Sequence, residues 1–194
     1  MSYLPPKLPL DHYRDLASAF HGEQEYGPYP YDYHLANNEE VSEKHITDAM
    51  LEWAGVSRDQ LIIGHWFHDV LEDTPATRKV LRVLIGVKVE AAVWSVTDVE
   101  GKSRDDRKWG TADRPGPMRK IPENRFGLLL KLVDRISNIQ EGVKARAEMG
   151  AATKKRDMLA RYRKEHVSFR EALYVPDTPV QSLWDLLDDL LSGV

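Results

Sequence analysis

No cysteine occurs among the 194 residues. That excludes disulfides and thiolate metal sites, and it leaves His, Asp and Glu as the side chains that could ligate a metal. Also missing is any run of about 18 apolar residues, so no membrane span or membrane partner is expected. The opening stretch MSYLPPKLPLDHYRDL lacks the basic patch and apolar core of a secretory signal, which points to a cytoplasmic protein. Positive charge is not in excess: 27 Lys and Arg face 31 Asp and Glu, for a net charge of −4. A long nucleic-acid duplex is therefore not an expected partner, and an anionic ligand would have to be met by a local basic cluster. The 42% hydrophobic content suffices for one domain over residues 1–194 with a sizeable core.

Hydrophobic periodicity reads as helix almost throughout, with no convincing strand alternation, so the expected fold class is all-α. Helices are expected over residues 8–21, ended by Gly22, and over residues 34–54, ended by Gly55. Ser57 offers an N-cap for a third, residues 58–72, closed by Thr74 and Pro75. Residues 80–85 and 87–96 supply two shorter apolar helices around Gly86. Residues 99–122 read as a long polar loop, of the kind that is usually functional or disordered. Helices over 124–148, 154–173 and 180–191 complete the chain. The Leu183, Trp184, Leu187 and Leu190 stripe of the last is expected to face the core.

Two segments carry chemistry. In Gly64 to Thr74, His65, His68, Asp69 and Glu72 fall at i, i+3, i+4 and i+7, one face of a helix. Imidazole and carboxylate are the usual ligands of a divalent metal, and a carboxylate one turn further on can handle the attacking water, so hydrolysis is the natural chemistry. Ile62, Ile63, Trp66, Phe67, Val70 and Leu71 surround these groups with core, where an unpartnered His or Asp would be costly. On the later helix, Lys131, Asp134, Arg135 and Asn138 repeat the spacing among Leu128, Leu129, Leu130, Leu132 and Val133. Alone, that stripe is an ion pair between Lys131 and Asp134. Beside a His-Asp pair, Asp134 becomes a candidate distant metal ligand.

His68-Asp69-Val70-Leu71-Glu72-Asp73-Thr74 and Lys131-Leu132-Val133-Asp134-Arg135-Ile136-Ser137-Asn138 together resemble the HD-domain metal-dependent phosphohydrolases. Within that superfamily they resemble the hydrolase domain of the Rel/Spo alarmone enzymes and their small stand-alone relatives. His21-Gly22-Glu23-Gln24, the turn from Tyr26 to Leu35, Val96-Thr97-Asp98 and the tail from Tyr162 to Tyr174 extend the similarity over most of the chain. The resemblance implies an HD-domain helical bundle with its metal-site core at about 8–148 and C-terminal helices at about 152–191 packed on it. It implies one divalent metal, commonly manganese, held by His34, His68, Asp69 and Asp134, with His45 as the reserve for the first ligand. Glu72 and Asp73 would activate or position water, and Asn138 would contact a nucleotide substrate. The implied reaction removes pyrophosphate from the 3′ position of guanosine tetra- or pentaphosphate, leaving GDP or GTP.

Donors for the phosphates are expected from Lys102, Arg104, Arg107 and Lys108 of the polar segment, which read equally well as a solvated loop, and from Lys131 and Arg135. The chain departs from the family pattern at Glu25 and Tyr26, where the alarmone hydrolases carry Arg and Lys, and at Asp98, where they commonly carry Lys. These departures motivate a neighbouring reading, an HD phosphohydrolase of another nucleotide such as an adenosine alarmone, a nicotinamide dinucleotide phosphate or a deoxynucleotide. A non-catalytic nucleotide-binding regulator would be marked by a missing ligand or Glu-Asp pair, and neither is missing. His65 is expected to be packed in the core, with His12, His21 and His166 as capping, packing or surface residues.

Overall fold

Helix starts are written locally by capping side chains. Thr47 accepts from the Met50 amide, Thr77 from Val80, and Ser57 and Ser103 form reciprocal capping boxes with Gln60 and Asp106, each satisfying amides that a helix end leaves open. The computed structural model describes residues 8–149 and 158–192. In chain order these form α1 (Leu10–His21), a hairpin of β1 (Glu25–Tyr26) and β2 (Tyr29–Pro30), α2 (Asp32–His45), α3 (Asp48–Ala54), α4 (Arg58–Phe67), α5 (Val70–Asp73) and α6 (Arg78–Val96). There follow α7 (Arg104–Trp109), α8 (Pro117–Lys120), a 3₁₀ turn (Ile121–Glu123), α9 (Arg125–Met149), α10 (Met158–Leu173) and α11 (Gln181–Ser192). The all-α expectation holds. The antiparallel hairpin pairs only Glu25 with Pro30 and Tyr26 with Tyr29.

Helix α9 is the axis, packed by α2, α4, α6, α10 and α11. Leu128, Leu129, Leu130, Leu132, Val133, Ile136 and Ile139 are all buried, so its first half is apolar nearly all round, as a central helix must be. Helix α4 crosses it at Gly64, where an added Cβ would lie 3.0 Å from both Leu130 Cδ2 and Phe126 Cζ. This close approach sets the two chemical segments side by side. Leu183, Trp184 and Leu187 of α11 are buried as expected, and Leu190 packs against the core. No helix among the described residues is long and apolar enough to cross a membrane.

Three expected elements need correction, and a fourth is refined. The helix over 34–54 is interrupted at Ile46, which is extended, because Thr47 caps a new helix. The helix over 58–72 ends at Phe67; His68 and Asp69 form a turn, and the Glu72 and Asp73 amides both bond the Asp69 carbonyl at 2.9 Å. The segments 80–85 and 87–96 are the two helical stretches expected, joined within α6 at a kink where Gly86, at φ 81° and ψ 162°, is non-helical, a backbone region open to glycine. The loop over 99–122 contains α7, α8 and the 3₁₀ turn, nucleated in part by the Ser103/Asp106 capping box. The start expected at 154 lies outside the described residues.

Candidate functional site

The turn that ends α4 aims two adjacent side chains, His68 and Asp69, at α2 and α9. His68 Nδ1 donates to the His65 carbonyl at 2.7 Å, which fixes the ring and leaves Nε2 facing the cluster. That Nε2 lies 2.9 Å from Asp69 Oδ2, 3.5 Å from Asp134 Oδ1 and 3.4 Å from His34 Nε2. His34 Nε2 lies 3.5 Å from Asp134 Oδ1 and 3.8 Å from Asp69 Oδ2. Ligand atoms of His34, His68 and Asp134 all fall within 4.8 Å of one another. Two imidazole nitrogens and two carboxylate oxygens thus converge from two helices and the turn between α4 and α5. This hard-to-borderline donor set fits a divalent ion.

Electrostatics shows how these groups depend on one another. Burial lowers His34 to about 4, helped by the neighbouring His68. His68 is raised: burial opposes its charge, but Asp69 and Asp134 outweigh it. Asp134 is held well below the usual range despite burial, by Lys131 and the imidazoles. Without a cation, the two carboxylates hold a proton on His68. With one, that proton must leave.

Each ligand is oriented by further contacts. The Tyr31 hydroxyl donates to Asp69 Oδ2, and burial followed by the Asp69 charge raises its pKa far beyond the ordinary phenol value. Asn138 Nδ2 donates to Asp134 Oδ1 at 2.6 Å and to the Asp134 carbonyl at 2.8 Å, while its Oδ1 accepts from the Tyr26 hydroxyl at 2.7 Å. The Tyr26 ring stacks on His34, centroids 4.5 Å apart. Both ends of the Asn138 amide are therefore used inside the protein, supporting Asp134; the substrate contact implied by the resemblance would require one of these bonds to open.

Glu72 and Asp73 face a cleft beside the cluster. Glu72 Oε2 accepts from the Asp98 amide at 3.1 Å, and its pKa is raised because the cleft walls withdraw solvent and Asp69 repels a second charge. His21 stacks on Tyr31 at 3.8 Å and donates from Nδ1 to Gln24 Oε1, and Gln24 Nε2 donates to Asp73 Oδ2 at 2.9 Å. The His21 to Gln24 motif thus reaches Asp73 through one hydrogen-bonded relay.

The cleft encloses about 280 Å³. Lys131, Arg135 and Arg104 line it, whereas Lys102 is exposed and lies outside the lining. Lys102 precedes the Ser103 cap of α7, whose Arg104 and Lys108 line the cleft. His45, three turns from His34 on α2, is outside the cluster. His65 is fully buried with both ring nitrogens unpartnered among the described residues, and burial lowers it to about 3. Tyr26, Tyr31, Tyr162 and Glu165 join the site without a sequence pattern that marks them as site residues. Their partners lie 38 to 112 residues away or on the opposite cleft wall, and only the Ser103-to-Asp106 capping spacing offered a local signal for that wall.

No protein-family model and no curated protein matches the chain. Among solved structures, one similar to it is that of a metazoan ortholog of SpoT that hydrolyzes ppGpp and plays a role in starvation responses. The two superpose with a TM-score of 0.68 at 19% sequence identity, over 100% of this chain and 98% of that one. The fold implied by the motifs is thus the fold found: this chain shares the all-α architecture of that ppGpp-hydrolyzing protein and carries a His-Asp cluster that can hold a metal.

Proposed function

We propose that the chain is a metal-dependent phosphohydrolase acting on a small nucleotide. The observation that carries this reading is the convergence of His34, His68, Asp69 and Asp134 beside Glu72 in one cleft. Those four side chains would hold one divalent ion, manganese being the first candidate from the motif resemblance. Such an ion supplies positive charge against phosphoryl oxygens and Lewis acidity toward water.

The protein's own groups do the rest. Glu72, fixed by the Asp98 amide and raised in proton affinity, accepts the proton of the attacking water. Asp73, steered by Gln24, orients that water. Tyr31 and Asn138 keep Asp69 and Asp134 turned inward, so that little reorganisation accompanies reaction. The water oxygen bonds to phosphorus as the P–O bond to the leaving group breaks.

The motifs and the ppGpp-hydrolysing neighbour support removal of 3′-pyrophosphate from guanosine tetra- or pentaphosphate. Glu25, Tyr26 and Asp98, standing where that family carries cations, support a different nucleotide. A nucleotide panel with manganese, and again with chelator, scored for phosphate and pyrophosphate, tests both. Metal-dependent release from a nucleotide is expected. A protein that binds manganese and releases neither product from any nucleotide would overturn the phosphohydrolase reading. Alanine at His34 should abolish metal binding and alanine at His45 should spare it.

A further inference from the structure

Among the described residues, each cation lining the cleft is already engaged by the protein. Arg104 clasps Glu165 through Nε at 2.6 Å and Nη2 at 3.2 Å. Lys108 Nζ donates to Asp98 Oδ1 at 2.7 Å, and Lys131 Nζ to Asp134 Oδ2 at 3.1 Å. Arg135 donates to the Tyr162 carbonyl at 3.1 Å, lies 4.0 Å over the Phe169 ring, and approaches Glu165 at 3.8 Å. Seven carboxylates line the same cleft against these four cations, a surplus of three negative charges that one divalent ion would reduce to one.

Such a lining suits a ligand of low charge. One phosphoryl group brings up to about two negative charges and can be met by the ion. A second diphosphate would have to pull Arg104, Lys108 or Arg135 off their present partners, leaving Glu165 or Asp98 opposed to phosphate inside a partly dehydrated cleft. The α7–α10 wall offers different chemistry. Trp109 lines the cleft while 38% exposed, in the same lining as the buried Tyr162 and Phe169. An open indole in a cleft wall is a stacking platform for a flat base and asks for no charge.

We infer that the cleft selects a nucleotide bearing a single phosphoryl group, its base stacked on Trp109, over one bearing two diphosphates. This rests on the phosphohydrolase reading above. In the reaction the water oxygen bonds to phosphorus, the ester P–O bond breaks, and the water proton ends on the leaving hydroxyl. The products are a nucleoside and inorganic phosphate.

The test compares kcat/KM of the manganese-loaded full chain for nucleoside monophosphates, di- and triphosphates, and guanosine tetraphosphate. At least about a tenfold preference for a monophosphate is expected, since a displaced ion pair costs on the order of a factor of ten or more. Equal or better turnover of the tetraphosphate would overturn the inference while leaving the phosphohydrolase reading intact. Absence of metal-dependent release from every nucleotide would overturn that reading instead, and the inference with it.

Two variants add readouts that misfolding would not mimic. Asp98→Asn releases Lys108 from its partner and should lower KM for the tetraphosphate about tenfold relative to KM for the monophosphate; an unchanged ratio counts against the inference. Trp109→Ala should raise KM for the monophosphate about tenfold at constant kcat, with Trp109→Phe restoring most of it. An unaltered KM in the alanine variant would remove the base from that wall.

Discussion

Replacing Asn138 by alanine separates two roles for one residue. Its Nδ2 bonds Asp134 Oδ1 at 2.6 Å and the Asp134 carbonyl at 2.8 Å, and its Oδ1 takes the Tyr26 hydroxyl at 2.7 Å. The bond to an ionised carboxylate is worth about 1.5–3 kcal/mol. Lys131, 3.1 Å from the other Asp134 oxygen, remains in place to hold the carboxylate, so the lower part of that range applies. At about 1.4 kcal/mol per factor of ten, manganese should bind roughly 10- to 30-fold more weakly, within the usual range for removing a group that orients a ligand. Tyr26→Phe keeps the stack on His34 and loses only one neutral bond, about 0.5–1.5 kcal/mol, so a roughly two- to tenfold loss is expected. Isothermal titration of each metal-free variant with manganese reads both numbers. If Asn138→Ala binds manganese within twofold of the parent while KM for the nucleotide rises sharply, the internal bonds are incidental and Asn138 contacts substrate, as the motif resemblance implies.

Metal affinity should weaken as pH falls, because His68, raised above its ordinary value by Asp69 and Asp134, must release its proton to ligate. Titrations in buffers of different ionisation enthalpy should show proton release near neutral pH, and pH-independent binding without release would contradict this. Glu72→Gln should retain the metal yet lose about 10²- to 10⁴-fold in kcat, the usual contribution of a positioned base; near-normal turnover would remove Glu72 from proton transfer. Gly64→Ala places a Cβ 3.0 Å from Leu130 and Phe126, overpacking that should cost about 1–3 kcal/mol and lower Tm by roughly 2–12 °C. A melting curve superimposable on the parent's would show that α4 and α9 can separate freely.

Some of this chemistry was legible without coordinates because it is local. The apolar circumference of α9 marks a central helix, and Asp134 stands out against it as a polar group needing a partner. The Ser57 cap announces α4. Even Ser103 and Asp106 have capping-box spacing, but the surrounding charges and the Pro- and Gly-rich stretch obscured a helix only six residues long. Helical spacing places the run from Gly64 to Thr74 on one helix face, and its apolar pattern agrees. The turn at His68 and Asp69 instead sends the two chemical groups inward together and keeps His65 in the core.

Residue type and helical period by themselves determined that the chain is all-α, that it lacks thiol chemistry, and that imidazoles and carboxylates sit on apolar helices where they need partners. Only the tertiary structure decided which of them meet. His34 and His45 share a face of α2, and spacing along one helix treats them alike; the crossing of α2 with α4 and α9 brings His34 within 3.4–3.8 Å of the other three groups. Arg104 reaches Glu165, 61 residues on, and Tyr26 reaches Asn138, 112 residues on. Such pairings leave no periodic trace, because they depend on how whole helices pack and not on the turn-by-turn geometry that sequence periodicity records.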